Sequence, residues 1–144
     1  MVRIKNNVFI ETGYLGKVNI IPFQFRQIFY NLISNSLKFS SPDHPLLIKV
    51  DSTIAQGKDL DNEKLLGETA YCHISLADNG IGFEQKYNDK IFELFQRLHG
   101  KSEYPGTGLG LAIVKKIVEN HNGTITATGE LGKGARFDIY IPVD

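Results

Sequence analysis

Two stretches of helical period, each followed by a pair of alternating strands, constrain this chain more than any other feature. From Phe23 to Phe39, the residues Phe25, Ile28, Phe29, Leu32, Ile33 and Ser36 fall on one side of a 3.6-residue wheel, so a helix there has one face to bury. A second helical pattern runs from Leu109 to Asn120, and Asn122-Gly123 supplies its stop. Leu46 to Ile54 alternates, with Leu46, Ile48 and Val50 on one face, and Tyr71 to Asp78 alternates again. Antiparallel pairing of these two is the simplest arrangement. Thr124 to Thr128 and Ala135 to Ile141 form a further pair, joined through Gly129 to Gly134. Val8 to Thr12 and Lys17 to Ile21 read as short strands before Pro22 breaks the pattern, and Asp89 to Leu98 can form a short helix. Elements with one apolar face each must bury them against one another. The expected fold is α/β, a two-layer sandwich with two long helices and one short one on one face of a mixed, mostly antiparallel sheet.

The second helix is entered through Gly106-Thr107-Gly108-Leu109-Gly110-Leu111. Glycines at alternate positions leave the main chain bare, so a ligand can approach its N–H groups closely. The helix start adds unpaired donors and the positive end of the dipole, which suits an anion and most often a phosphate. A plain glycine turn before a core helix is the alternative. The loop is neither a Walker A loop, since no G-x-x-x-x-G-K-[ST] occurs, nor a dinucleotide fingerprint, since Leu111 stands where the last glycine belongs.

The chain has 144 residues, which suits a single domain over 1–144. Sixteen basic residues balance sixteen acidic ones, so no broad basic field would draw in nucleic acid or an anionic membrane. No apolar stretch approaches the roughly 20 residues that cross a bilayer, and no signal-peptide pattern opens the sequence. Cys72 is the single cysteine and sits in an alternating apolar run, where it packs as a small hydrophobe. A reducing, cytoplasmic setting is expected.

On the first helix, Asn31, Asn35 and Lys38 share one stripe that flanks the apolar face. Amide oxygens suit a hard cation, and Mg²⁺ takes few protein ligands beside water and phosphate oxygens. A lysine one turn on can neutralise phosphate charge. A solvated helix face is the alternative. Asp78-Asn79-Gly80-Ile81-Gly82-Phe83 places a carboxylate at the end of a strand, followed by glycines. An ionised Asp is acceptor-only, so it can accept from the exocyclic amino group of adenine but not from the carbonyl that guanine has there. The alternative is an Asx turn, with Asp78 bonding its own chain.

These segments, in this order, resemble a known set. The helix Asn31 to Phe39 resembles the N-box of the catalytic, ATP-binding domain of sensor histidine kinases, the Bergerat fold. Asp78 to Phe83 is similar to its G1 box, Ile91 to Leu98 to its F-box, and Gly106 to Leu111 to its G2 box. Gly132 to Phe137 resembles the turn near the domain's end, so the resemblance covers about Phe9 to Val143. The segment Phe95 to Gly106 is similar to that of phytochrome-like and PAS- or GAF-linked kinases.

The resemblance implies roles. Asn35 would hold Mg²⁺, with Asn31 on the phosphate side and Lys38 on phosphate oxygens. Asp78 would read the adenine amino group, with Gly80 and Gly82 letting the base lie close. Phe92 and Phe95 would anchor a lid, and Arg97 would reach the γ-phosphate. Gly106, Thr107, Gly108, Leu109 and Gly110 would wrap the phosphates. The lid, Gln96 to Pro105, is polar and expected to be mobile without nucleotide.

One departure separates chemistries. Gyrase-type, MutL-type and Hsp90-type ATPases place a glutamate one turn before the metal-holding asparagine, as a base for water. Asn31 stands there here, and a neutral amide cannot take a proton from water. The resemblance therefore implies a histidine kinase that saves the γ-phosphate of ATP for an imidazole of a partner, in two-component signalling. An ATP-hydrolysing gyrase- or chaperone-type module and a silent nucleotide-binding scaffold are the alternatives. The family's phosphoacceptor lies on a helix of a separate dimerisation domain, with a response regulator downstream. His44, His73, His99 and His121 all lack that setting, so the acceptor domain is expected to be absent from this chain and the isolated chain to be a monomer.

Overall fold

The computed structural model describes residues 2–5, 8–12, 22–92 and 108–143. Strands β1 (Val2–Lys5) and β2 (Val8–Thr12) precede helix α1 (Pro22–Lys38). Strands β3 (Leu46–Gln56) and β4 (Ala70–Asp78) follow, then helix α2 (Gly108–Asn120) and strands β5 (Thr124–Glu130) and β6 (Gly134–Pro142). The described strands form one sheet in the order β1-β2-β3-β4-β6-β5. Only β2 and β3 pair in parallel, because α1 carries the chain back between them. The other neighbours are antiparallel, including β3 with β4, where Ile48 faces Asp78 and Gln56 faces Ala70.

The core lies between the sheet and the two α-helices. Ile28 and Leu32 of α1 and Val114 and Val118 of α2 are fully buried against Ile48, Ile74, Leu76, Phe137 and Ile139. Cys72 joins this cluster, and burial pushes its thiol above the usual range. The apolar face of α1 is the one the periodicity defined, and Ser36 is buried within it. α2 ends at Asn122, whose φ is 60°, with Gly123 N donating to Val118 O at 2.9 Å.

Three features differ from the sequence reading. Pro22 opens α1 rather than standing outside it. The first helical position needs no N–H and suits its fixed φ. The short helix expected over Asp89 to Leu98 is, within the described residues, a single 3₁₀ turn at Lys90–Phe92. The α-helices described therefore number two. Strand β1 was not anticipated, being only four residues long. The strand expected over Lys17 to Ile21 lies outside the described residues.

The segment between β3 and β4 is an ordered loop rather than a bare hairpin. Gly57 N donates to Thr69 O at 2.8 Å, and Leu66 N donates to the Tyr71 hydroxyl at 3.1 Å. Leu65 and Leu60 pack with Tyr71 and Tyr140 in a second small cluster, on the side of the sheet away from the helices. On that side Asp138 accepts from Arg136 Nε at 3.1 Å, and His73 Nε2 lies 2.7 Å from its Oδ1. The His73 ring stacks on Tyr140 at 4.5 Å. No helix among the described residues is long and apolar enough to cross a membrane.

Candidate functional site

The end of α1, the turn after β4 and the β5–β6 hairpin meet at one place. Ile81 N donates to Phe39 O at 2.8 Å, tying the turn to the last residues of the helix. Gly132 N donates to Ile81 O at 2.8 Å, tying the same turn to the hairpin. Asp78 sits at the centre of these ties. Its Oδ1 accepts from Gly80 N at 2.9 Å and Ala135 N at 3.3 Å, and its Oδ2 accepts from Ser36 Oγ at 2.7 Å. The bond to Gly80 is the Asx turn, so the self-bonding alternative describes one oxygen of the carboxylate and leaves the other to a different partner. An ionised carboxylate has about four acceptor positions, and three are filled here. Among the described residues one remains, on Oδ2. Burial pushes the pKa of Asp78 above the ordinary carboxylate value, while the bonds from Ser36, Gly80 and Ala135 pull it back.

The glycines around Asp78 answer to the protein's own backbone. A side chain on Gly80 would strike Phe39 O at 2.5 Å. Gly82 has a φ of +70°, and a side chain there would run into the carbonyl of Glu130. These positions fix how closely the turn lies against α1 and the hairpin. Asn79 has a role the sequence reading missed. Its Oδ1 accepts from Leu47 N at 2.8 Å and its Nδ2 donates to Pro45 O at 3.2 Å, so it clips the start of β3 to the end of β4.

On α1, Asn31 and Asn35 are half-buried and Lys38 is exposed. The Nδ2 of Asn31 is buried and has no hydrogen-bond partner among the described residues. A buried donor left open costs free energy unless something pairs with it. Phe92 is buried and meets Phe137 edge-on at 6.1 Å, so it belongs to the core as well as to the F-box segment. Gly108 and Leu109 begin α2, and Gly110 has open space where a side chain would be. Phe95, Arg97, Gly106 and Thr107 lie outside the described residues, as do His99 and the whole lid segment Gln96 to Pro105. The structure thus joins the α1 stripe to the Asp78 turn through Ser36 and Phe39. His44 and His121 each place Nδ1 near a carbonyl, of Pro45 at 3.1 Å and of Ile117 at 2.9 Å.

Comparison with known proteins gives the family. Residues 21–144 match the family described as histidine kinase-, DNA gyrase B-, and HSP90-like ATPase. The chain is 43% identical over 120 residues to cyanobacterial phytochrome A of Nostoc sp., covering 83% of this chain and 14% of that protein. It is 37% identical over 137 residues to the phytochrome-like protein Cph1 of Synechocystis sp., covering 93% of this chain and 16% of that protein. The chain therefore spans about a seventh of the length of these relatives. The solved structure of full-length ShkA in complex with AMPPNP superposes with a TM-score of 0.70 at 26% identity, covering 94% of this chain and 26% of that one. A half-buried carboxylate held beside a glycine turn, an asparagine stripe on the neighbouring helix, and these matches lead to one statement: the chain belongs to the histidine kinase-, gyrase B- and HSP90-like ATPases, as the ATP-binding domain found in sensor histidine kinases.

Proposed function

We propose that this domain binds Mg-ATP and passes the γ-phosphoryl group to a histidine on a separate dimerisation domain. The observation that carries the reading is the amide at position 31, one helical turn before Asn35. A carboxylate there would take a proton from water; an amide cannot.

The residues present fit the nucleotide and the metal. The open Nδ2 donor of Asn31 suits a phosphate oxygen, and the amide oxygen of Asn35 suits Mg²⁺. The free acceptor position on Asp78 suits the adenine amino group, beside Gly80 and Gly82. Bound Mg-ATP supplies the transferable phosphoryl group and a divalent charge to offset its oxygens. Lys38 and Arg97 add positive charge at the phosphates. Gly106, Thr107, Gly108, Leu109 and Gly110 offer main-chain donors at the start of α2. Phe92 and Phe95 anchor the lid that closes over the site. Catalysis by this chain is then positioning and charge neutralisation, with an amide at position 31 in place of a base for water.

The partners in this reading are the dimerisation domain of the same parent and a response regulator beyond it, in the cytoplasm. The isolated chain is a monomer and a fragment of a larger sensor. The test is direct. The purified chain with Mg²⁺ should bind ATP far better than GTP, release phosphate very slowly, and phosphorylate an added dimerisation domain whose helix carries a histidine followed by an acidic residue. Rapid phosphate release without that domain, or no transfer in its presence, overturns the reading.

A further inference from the structure

We infer that Ser36 is a positioning residue for base recognition, aiming the Oδ2 of Asp78 at the exocyclic amino group of the bound purine; this rests on the adenine role proposed above for Asp78. Ser36 is 1% exposed and lies on the apolar face of α1, between Leu32 and the helix end, where every other deeply buried residue is a hydrocarbon. A hydroxyl in such a place is costly unless bonded. Its bond goes to Asp78 Oδ2, at 2.7 Å across 42 residues of sequence.

The division of the carboxylate explains what this bond does. Oδ1 is held by two backbone donors, Gly80 N and Ala135 N. Those hold the group at one oxygen; the final side-chain torsion is broad for Asp, and a third bond on the opposite oxygen fixes the plane of the whole carboxylate. Ser36 Oγ takes one acceptor direction of Oδ2 and leaves its second direction for a ligand. The hydroxyl also counteracts the burial that favours the neutral acid, which is a poorer acceptor. Ser36 therefore acts on the base through Asp78. Its neighbour Asn35 carries the metal role proposed above, so in this reading one turn of α1 serves both ends of the nucleotide.

The test compares two ligands on the 144-residue chain: ADP, and the 5′-diphosphate of purine riboside, which lacks only the exocyclic amino group. Wild type should prefer ADP. Ser36→Ala should weaken ADP binding about tenfold, on the order of 1.4 kcal/mol, and leave the purine analogue nearly unchanged. Ser36→Cys, which puts a weak donor in nearly the same space, should fall between them. It carries the same comparison if Ser36→Ala does not fold. A purely structural role for Ser36 would weaken both ligands alike. If wild type prefers ADP and both variants keep that preference in full, the inference fails while the adenine reading stands. If wild type binds the two ligands equally, the adenine reading fails and takes this inference with it.

Discussion

Gly134 lies so close to Asp78 that its Cα faces the Asp78 carbonyl with no space for a side chain. Its φ of +129° lies in a region that L side chains rarely adopt. Gly134→Ala should therefore destabilise the protein by about 3 kcal/mol through clash and backbone strain. Urea unfolding gives the number. A variant as stable as wild type would show that β6 can retreat from β4 without penalty.

Asp78→Asn separates binding from folding. The amide oxygen can still accept from Gly80 and Ala135, and the amide nitrogen can donate to Ser36. Nucleotide affinity should fall by the roughly 1.5–3 kcal/mol of a charged hydrogen bond. Stability should move the other way. The folded-state pKa of Asp78 is raised, so the stability this group contributes is fully present below the ordinary carboxylate value of about 3.9. That stability is lost as pH rises through the raised value. The Asn variant lacks this loss, so its melting temperature relative to wild type should climb as pH rises from about 4 toward neutrality. A gap that narrows over that range would contradict the burial seen here.

Asn79→Ala removes the clip between β3 and β4. Two bonds vanish, to Leu47 N and Pro45 O, in a partly exposed setting. The expected cost is about 1–2 kcal/mol. Amide exchange at Leu47 should rise more than exchange at the centre of β4, which hydrogen-exchange mass spectrometry can read.

Asp138 is 8% exposed and serves both His73 and Arg136. Asp138→Ala leaves two donors without their shared acceptor and should cost about 2 kcal/mol in chemical denaturation. Because this cluster lies on the far side of the sheet from Ser36 and Asp78, ADP affinity at a temperature where the variant is folded should stay within about twofold of wild type, a difference of roughly 0.4 kcal/mol. A large loss of affinity would mean the two sides of the sheet are coupled.

The sequence made the layer plan readable where periodicity was strong. Ile28 and Leu32 on α1, and Leu46, Ile48 and Val50 on β3, are buried as their spacing requires. The antiparallel pairing of β3 with β4 and the stop at Asn122 were equally legible. Short or marginal elements were not. Val2–Lys5 holds too few residues for alternation to stand out, and Pro22 reads as a breaker until it is seen at a helix start. Asp78 was legible as a carboxylate before a glycine turn. Ser36 was visible only as one member of an apolar stripe, because its partner lies 42 residues away. The bonds of Asn79 were hidden behind the turn signal of Asn-Gly, and the His73–Asp138 pair spans 65 residues with no local pattern.

Strand β4 has the ordered 57–69 loop at its Ala70 end and the Asp78 carboxylate at its other end. At the usual rise per residue those ends are about 26 Å apart. Glu63 and Lys64 stand exposed in that loop. A dye or small fused module joined there would ride on the same rigid strand as the proposed purine reader yet stay clear of it, giving an engineer a handle for watching nucleotide come and go.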